Sequence, residues 1–405
     1  MFKPLAGIRV LDLSRILAGP WSTQLLADFG ADVIKVERPG VGDDTRHWGP
    51  PYLEAPKPHS AISAYFLAAN RGKKSIAINF TTAAGQKILR ALAVKADVLV
   101  ENYKVGALAA YGLDYSALSA LNARLVYCSI TGYGQDGPYA SRPGYDFVLQ
   151  GVGGLMSITG QSDDDGGQPT KVGVAVVDIM SGLYASSAII AALRGRDDTG
   201  RGQLIDIGLL DVQVAMLANQ AMNYLVSGES PRRRGNEHPN IAPYESLRAS
   251  DGVINVAVGN DAQFRLLCEL LGIAAVADDP RFSTNRLRVQ NRGVLVPILE
   301  NGMKRHSVRA LVVLLNERGV PAGAVNRIED VFDDPQVQHR KMRRSIRHPE
   351  MGDLPFVACP VKFSATPVTY DVPPPDLGEH TVRILREELG VSDEEISALK
   401  ADGTL

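Results

Sequence analysis

Asp178 stands in the stretch of this chain that is best suited to chemistry. It follows the apolar run KVGVAVV and precedes the apolar segment IMSGLYASSAIIAALRG. β-Branched residues bounded by turn residues predict a short buried strand over the run, and the segment after it is typical of a helix. Asp178 is therefore expected at the joint between them, where helix amides and the helix dipole would keep its carboxylate ionised.

A carboxylate at such a joint has two uses. Asp is among the residues preferred at a helix N-cap, where its side chain accepts a hydrogen bond from a free backbone amide. The same ionised group could also be catalytic. The local pattern favours the cap, so a catalytic assignment needs support from elsewhere in the chain.

A second group of candidate side chains is basic. Arg38, Arg46, Arg71, Lys73 and Lys74 lie between the predicted second strand and the run SIAINF. Such charges usually form a solvated face, but open α/β sheets bind ligands outside the carboxyl ends of their strands. These cations are therefore candidates for a ligand site.

Strands and helices alternate through the first half of the chain. GIRVLDLS, ADVIKVE, DVLVENY and RLVYCSIT have strand character, and STQLLADFG and TTAAGQKILRALAVKA have helix character. This βαβ order predicts a parallel sheet with helices on its faces. Glu37 ends the second strand, as in dinucleotide-binding proteins, but the first turn reads Ala18-Gly19-Pro20 instead of Gly-x-Gly-x-x-Gly. Dinucleotide binding is therefore disfavoured.

The length of 405 residues predicts more than one domain. Residues 1–200 are assigned to a large Rossmann-like domain and residues 201–225 to a linker helix. A polar stretch rich in Pro, Asn and Gly then opens a small domain over residues 226–328. Residues 329–405 are assigned to a return linker and to the carboxyl-terminal part of the large domain.

The composition excludes several classes of function. The net charge of −2 gives no indication of a nucleic-acid or membrane-surface partner. Cys128, Cys268 and Cys359 are widely spaced, which predicts neither a metal site nor a disulfide framework. The beginning of the chain has no signal character, and no apolar stretch reaches the ~20 residues that span a bilayer. We expect a cytoplasmic protein.

Several strings together resemble the CoA-transferases of family III. They are GIRVLDLSRILAGP, LLADFGADVIKVERPGVGDDTR, NRGKKSIAIN, DVLVENY, SITGYGQDGPYASRPGYD, GVAVVDIMSGLYA and TGRGQLIDI. The resemblance covers nearly the whole chain. It implies a Rossmann-like large domain with a parallel sheet, a smaller α/β domain, and a ring-shaped chain that interlocks with a second copy in a homodimer.

The resemblance implies that Asp178 is a nucleophile, which outweighs the interpretation as a simple cap. It also implies that CoA is a thioester substrate and that no cofactor or metal is tightly bound. The residues implied to contact CoA are Arg38, Arg71, Lys73, Lys74, Ser75, Asn102, Tyr103, Lys104, Arg142 and Tyr145. The acyl group is expected near Leu17 and Ala18, with Arg15 and the weaker candidate His238 to bind the far carboxylate of a diacid.

Within the family, VERPGVGDDTRHWGPPY and NIAPYESLRASDG are similar to the branch that transfers CoA from succinyl-CoA to a dicarboxylate such as glutarate. The implied chemistry is attack by Asp178 on the thioester, a mixed anhydride, and then an aspartyl-CoA thioester. A transferase for formate, oxalate or carnitine, and a CoA-binding protein without turnover, remain open. Racemases of this family pair their aspartate with a His, where this chain has Gly144-Tyr145-Asp146, so racemisation is disfavoured.

Overall fold

The computed structural model describes residues 3–53 and 62–405, which form two compact units. The first unit contains the chain up to Leu155, Val172–Met222 and Gln336–Leu405, and the second contains Met156–Lys171 and Asn223–Pro335. These boundaries differ from the predicted ones. Residues 156–171, predicted in the large domain, belong to the second unit, which also extends beyond the predicted limits of 226 and 328.

The secondary structure alternates between strands and helices along most of the chain. The strands are β1 (Arg9–Asp12), β2 (Asp32–Glu37), β3 (Tyr52–Leu53), β4 (Ile62–Ser63), β5 (Lys73–Ala77), β6 (Val98–Glu101), β7 (Val126–Thr131), β8 (Leu204–Gly208), β9 (Tyr244–Arg248), β10 (Val253–Ala257), β11 (Ala322–Ala324), β12 (Arg343–His348) and β13 (Gly352–Val357). The helices are α1 (Ala18–Asp28), α2 (Ala64–Ala69), α3 (Ala83–Val94), α4 (Tyr115–Leu121), α5 (Asp146–Val152), α6 (Leu155–Ile158), α7 (Val176–Thr199), α8 (Leu209–Met216), α9 (Ala218–Ser227), α10 (Asp261–Leu270), α11 (Asn285–Gln290), α12 (Arg292–Met303), α13 (Val308–Glu317), α14 (Ile328–Asp333), α15 (Pro335–His339), α16 (Thr381–Leu389) and α17 (Asp393–Ala401).

Six parallel strands form the sheet of the first unit, in the order β5-β2-β1-β6-β7-β8. Successive side chains of a strand point to opposite faces, so Val10 and Leu11 of β1 enter two different cores. Val10 belongs to the core with residues of α1 and α7, and Leu11 belongs to the core with residues of α3 and α16. The predicted parallel sheet with helices on its faces is confirmed.

The strand order reverses between β1 and β6. From β1 the chain proceeds through β2 to β5 on one side, and from β6 it proceeds through β7 to β8 on the other. Ligands of open α/β sheets bind in the crevice at such a reversal, outside the carboxyl ends of the strands. Arg15 follows β1 and Asn102 follows β6, so this crevice is where the first unit would hold a ligand.

The strand predicted over KVGVAVV is wrong. Residues 171–175 have no regular structure, and α7 already begins at Val176. Side chains of α5 accept hydrogen bonds from backbone amides of this segment, which in a strand would donate to a neighbouring strand. Asp146 Oδ1 accepts from the Val177 amide at 2.8 Å, and Gln150 Oε1 accepts from the Val172 amide at 2.8 Å. The segment therefore docks on a helix and adds no strand to the sheet.

The predicted linker helix over residues 201–225 is also more complex than expected. It contains β8 and then two helices, α8 and α9. Ala218 has a φ of 45°, in the left-handed region that an alanine rarely adopts, so the helix cannot continue through this position. The apolar pattern of the segment is continuous across this break, and for this reason the sequence predicts one long helix.

Helix α7 carries Asp178 near its beginning. Among the described residues it is the one helix whose length and composition would allow it to cross a membrane. It packs against α1 and against β7 and β8, and its side chains Val177, Ala185 and Ile189 are fully buried. These contacts make α7 a core helix of the first unit.

The end of the chain completes the first unit. The Gly378 amide donates to Ser75 Oγ at 2.9 Å, and the Asn79 amide donates to the Thr404 carbonyl at 2.8 Å. Arg9 of β1 pairs with Glu388 of α16 at 2.8 Å. Strands from the beginning of the sequence are thus bonded to its last residues.

The second unit has a core of its own. β9, β10 and β11 form an antiparallel sheet in the order β11-β10-β9. Leu247 of β9 and Ile254 of β10 are buried with Phe264 of α10 and Leu299 of α12. This arrangement agrees with the smaller α/β domain that the sequence predicts.

Candidate active site

A cavity of ≈ 350 Å³ opens at the carboxyl ends of β1, β6 and β7. Asp178 lines it, together with the residue Leu209 that follows β8. Eight further residues singled out from the sequence line the same cavity: Arg15, Leu17, Ala18, Asn102, Tyr103, Lys104, Arg142 and Tyr145. The structure thus brings together residues from five separate segments of the chain around one carboxyl group.

Asp178 is the third residue of α7 and does not cap it. The N-cap position belongs to Ala175, which makes no capping hydrogen bond through its side chain. Burial, and then repulsion from Asp146, raise the pKa of Asp178 to about 7. The expectation that the helix end keeps this carboxylate firmly ionised is therefore wrong, because burial and the nearby charge of Asp146 both favour the protonated form. Near neutral pH the group exists in both protonation states.

Asp146 connects α5 to the beginning of α7. Its Oδ1 accepts from the Val177 amide, and its Oδ2 accepts from Gln150 Nε2 at 2.7 Å. These bonds hold the residue that precedes Asp178, so Asp146 controls both the position and the charge of the neighbouring carboxyl group. In the sequence Asp146 is visible only as part of the string Gly144-Tyr145-Asp146.

Tyr65 does not line the cavity, but the charges of Asp178 and Asp146 act on it. Burial, and then the charges of Asp178 and Asp146, raise the pKa of its phenol. The ring packs edge-on against Trp48, with centroids 5.3 Å apart. The phenol therefore stays protonated near neutral pH. The sequence around Tyr65 contains no motif that would identify this residue, because its helix α2 is only six residues long.

The beginning of α1 presents free backbone amides to the cavity. Leu17 and Ala18 line the cavity, and no acceptor among the described residues bonds to the amide of either one. The first amides of any helix lack partners within the helix, and together they favour negative charge. Gly182 of α7 fixes this end, because a Cβ at Gly182 would lie 2.7 Å from the Ala18 carbonyl oxygen. The two helix beginnings are therefore in close contact.

A second, smaller cavity of ≈ 170 Å³ lies at the carboxyl ends of β2 and β5. Arg38 and Asn79 line it, and Arg15 and Tyr103 line both cavities. Arg38 is exposed and forms no ion pair within the described part of the chain. An elongated ligand that reaches from Asp178 to Arg38 would pass the side chains of Arg15 and Tyr103.

Most residues around β5 do not match their predicted role. Arg71 is buried and donates from Nε to Asp28 Oδ1 at 3.0 Å. Lys73 is fully buried, with Nζ 3.1 Å from Asp12 Oδ2. Lys74 pairs with Asp32 at 2.6 Å, and the buried Ser75 hydroxyl donates to Glu37 at 2.6 Å. Because Arg71, Lys73 and Ser75 are buried and bonded within the unit, the prediction that their side chains contact phosphate is corrected: they stabilise the sheet. Lys74 is about a third exposed, and its contact with phosphate stays a prediction.

The other predicted cations differ in how free they are. Arg15 pairs with Asp44 at 3.0 Å, and its guanidinium lies 5.4 Å from the centroid of the Tyr103 ring. Arg142 is exposed, and its guanidinium stacks 3.7 Å above the Tyr139 ring. Lys104 is exposed as well. All three charges remain accessible to an anion in the cavity.

His238 belongs to the second unit. Its Nδ1 accepts from the Asn240 amide at 3.1 Å, its ring packs on Tyr244, and its carbonyl accepts from Arg292 at 2.6 Å. Burial, and then the charge of Arg292, lower the pKa of the imidazole. These contacts shape the loop before β9, and substrate binding by His238 stays a prediction.

Comparisons with known proteins agree with one another. Residues 5–381 match the sequence profile of CoA-transferase family III. The chain is 51% identical to the succinate–glutarate CoA-transferase of Agrobacterium fabrum, over 95% of each chain. It is 43% identical to the succinyl-CoA:glutarate CoA-transferase of Homo sapiens, over 100% of this chain and 90% of the other. A solved CaiB/BaiF family protein from Brucella suis has 49% identity and a TM-score of 0.84, over 96% of this chain and 100% of that one.

Proposed function

The chain belongs to CoA-transferase family III, and from this premise we propose that it moves CoA from succinyl-CoA to glutarate. The observation that carries the proposal is the carboxyl group of Asp178 in a cavity lined by cations and free amides. The names of the relatives from Agrobacterium fabrum and Homo sapiens, which state this reaction, support the choice of acids.

The first half of the reaction uses Asp178 as a nucleophile. A carboxylate oxygen of Asp178 attacks the thioester carbonyl of succinyl-CoA, the C–S bond breaks, and CoA leaves as a thiolate. The product is a mixed anhydride of Asp178 and succinate. The thiolate then attacks the aspartyl carbonyl, the anhydride C–O bond breaks, and succinate leaves. An aspartyl-CoA thioester remains.

The second half runs the same steps in reverse. A carboxylate oxygen of glutarate attacks the aspartyl thioester and releases the thiolate, which forms the mixed anhydride of Asp178 and glutarate. The thiolate then attacks the glutaryl carbonyl of this anhydride. Glutaryl-CoA leaves, and the carboxylate of Asp178 is restored. Each bond broken matches one bond formed, so the exchange needs no co-reactant.

Negative charge develops on a carbonyl oxygen at every step. The free amides of Leu17 and Ala18 are the donors best placed to stabilise it, because fixed dipoles in a buried site need no reorganisation.

CoA is proposed to extend across both cavities of the first unit. The thioester would lie at Asp178, and the nucleotide would lie near Arg38, whose guanidinium suits phosphate. Lys104 and Arg142 would contact the remaining anionic groups. Arg71, Lys73 and Ser75 are left out, because their side chains are buried and bonded within the unit.

The function is tested by following CoA esters after mixing the protein with succinyl-CoA and single acids. The acids are glutarate, adipate, itaconate, malate, oxalate, formate and carnitine. We expect glutaryl-CoA to form fastest and in proportion to the succinate released. Rapid transfer to formate, oxalate or carnitine but not to glutarate would contradict the proposal. Failure with every acid, with succinyl-CoA intact, would contradict the proposed donor.

The rate of transfer is expected to rise with pH through neutrality. Only the ionised form of Asp178 can attack, and its pKa is about 7. Below this pKa, kcat/KM for succinyl-CoA should increase about tenfold per pH unit, and above it the rate should level off. Steady-state kinetics between pH 5.5 and about 9 measure the profile.

Asp146→Asn should move this profile to lower pH. The substitution removes the negative charge that raises the pKa of Asp178, while its side-chain oxygen can still accept from the Val177 amide. More Asp178 is then ionised at a given acidic pH. Asp197→Asn, a change on the exposed part of α7, is the control. An unchanged profile in Asp146→Asn would refute the coupling between the two carboxyl groups.

The far carboxylate of glutarate is proposed to bind Arg15. Removing one charged hydrogen-bond partner costs about 1.5–3 kcal/mol, so Arg15→Ala should raise the KM for glutarate at least tenfold. The KM for valerate, which lacks the second carboxylate, should not change. Arg142→Ala is the matched variant and should raise the KM for succinyl-CoA. If Arg142→Ala alone affects glutarate, the assignment of Arg15 is wrong.

Assembly as an interlocked, ring-shaped homodimer in the cytoplasm is also part of the proposal. It is supported by apolar side chains that the first unit leaves exposed on α5, α7 and α8. They include Phe147 (59% exposed), Val152 (57%), Tyr184 (47%) and Val214 (51%). Large apolar side chains that are exposed together on neighbouring helices commonly mark an interface. Sedimentation of the purified protein at the mass of one chain would refute the dimer.

A further inference from the structure

Ile16 has a backbone conformation that its side chain disfavours. Its φ is 71°, in the left-handed region, and a β-branched residue there is an outlier. Such a conformation costs roughly 1–3 kcal/mol and persists only where the surroundings impose it. Ile16 lies between β1 and α1 and lines the cavity of Asp178. The turn of residues 14–17 is therefore strained at the candidate active site.

Asn102 holds this turn from the opposite side of the crevice. Its Oδ1 accepts from the Arg15 amide at 2.8 Å, and its Nδ2 donates to the Arg15 carbonyl at 2.7 Å. Both polar atoms of the side chain are thus engaged with one residue. Since Asn102 follows β6 and Arg15 follows β1, the two bonds span the point where the strand order reverses.

Asp43 holds the strained residue itself. Its two carboxylate oxygens each lie 3.3 Å from the Ile16 amide nitrogen. Although burial opposes ionisation, the Lys35 ammonium at 2.8 Å lowers the pKa of Asp43 to about 2. Lys35 Nζ also donates to the Ser14 carbonyl at 2.9 Å. The turn is therefore bonded at three consecutive residues to side chains from elsewhere in the unit.

The turn leads directly to the amides of Leu17 and Ala18, which are proposed to stabilise the negative charge on the reacting carbonyl oxygen. Leu17 and Ala18 follow Ile16, and Ala18 is packed against Gly182 of α7. A relaxed φ at Ile16 would redirect the chain at this point and turn these amides away from the reacting carbonyl. A displacement of about 1 Å can cost a catalyst a factor of about 100.

We propose that Asn102 and Asp43 are positioning residues that impose the strained conformation of Ile16 and so aim the amides of Leu17 and Ala18. The resemblance to the family implies that Asn102 contacts CoA. In this proposal Asn102 instead acts on the reaction through the turn. The proposal rests on the proposed transfer reaction. It adds a structural claim that can be tested even where the acids of that reaction are different.

The kinetic test compares Asn102→Ala with the wild type in the transfer from succinyl-CoA to glutarate. We expect kcat to fall about 10- to 100-fold while the KM for succinyl-CoA changes less than about threefold. A KM that rises at least tenfold with kcat preserved would show a CoA contact and overturn the proposal.

Substitutions of Ile16 separate strain from side-chain loss. Both Ile16→Gly and Ile16→Ala remove the side chain, but only glycine adopts a positive φ without cost. In the Asn102→Ala background, Ile16→Gly should therefore restore kcat at least threefold relative to Ile16→Ala. Equal kcat values for the two double variants would overturn the proposal.

Hydrogen exchange of the turn gives a readout that does not depend on turnover. The Ile16 amide should exchange at least tenfold faster in Asn102→Ala than in the wild type, while amides in the centre of α7 keep their rates. Unchanged exchange at Ile16 would overturn the proposal. A further outcome is that the wild type transfers no CoA to glutarate while exchange at Ile16 still accelerates in Asn102→Ala. That result would contradict the proposed substrates but support the role of Asn102 in holding the turn.

Discussion

Asp178→Asn is expected to reduce CoA transfer by a factor of at least about 10⁴, the largest effect that we predict for any single change. The amide cannot attack a thioester, and among the residues that the structure describes no other carboxyl group lines the cavity. Formation of glutaryl-CoA, followed by chromatography, measures the loss. The intact mass of the wild type, incubated with succinyl-CoA alone, should show an adduct of one CoA less one water, which the variant should lack.

Asp197→Asn provides the matched control for this result. Asp197 lies on the same helix, and it is exposed near the end opposite to Asp178. Its substitution should leave both the rate and the adduct unchanged. Transfer by Asp178→Asn at more than about a hundredth of the wild-type rate would refute the covalent route through this residue.

Lys73→Met is expected to cause the largest loss of stability. Lys73 is fully buried and bonded to Asp12, Asn70 and the Pro20 carbonyl. Burial lowers the pKa of its ammonium to about 8, so the group is still mainly charged at neutral pH. Removing one partner of a buried ion pair leaves the other charge without compensation, which costs about 3–5 kcal/mol. Unfolding in urea, followed by circular dichroism, measures the change in the free energy of unfolding.

Lys74→Met is the neighbouring control. Lys74 pairs with Asp32, and both side chains are about a third exposed, so the loss should stay below about 1 kcal/mol. The comparison also decides between two roles of the NRGKKS segment. Should Lys73→Met fold with full stability and instead raise the KM for succinyl-CoA, the original prediction of a phosphate contact would be restored.

The sheet could be predicted from the sequence because its signal is local. β1, β2, β6 and β7 are short apolar segments separated by helices, and each lies within the predicted segment. The beginning of α3 is local as well, since the N-cap residue Thr82 accepts from the Gly85 amide three positions later. The predicted strand over KVGVAVV fails for a nonlocal reason. Its backbone is bonded by Asp146 and Gln150, whose proximity no pattern within the run can reveal.

The candidate site could be predicted only in part. Asp178 was identified through the resemblance to a family, since its local pattern favoured a cap. Arg71 and Lys73 were misjudged because a charge in a sequence does not show its partner: Asp28 and Asp12 are 43 and 61 positions away. The pKa of Asp178 was misjudged as well, because burial depends on the packing of the whole unit.

The bonds between the two ends of the chain have a consequence for biosynthesis. The hydrogen bond of Ser75 with Gly378 can form only after 303 further residues have been synthesised. The ion pair of Arg9 with Glu388 can form only after 379 further residues. During translation the early sheet therefore lacks the helix α16 that packs against β5, while most of the second unit can already fold. Until α16 has been made, the apolar surface that it covers stays exposed, and exposed apolar surface makes a folding intermediate prone to aggregation.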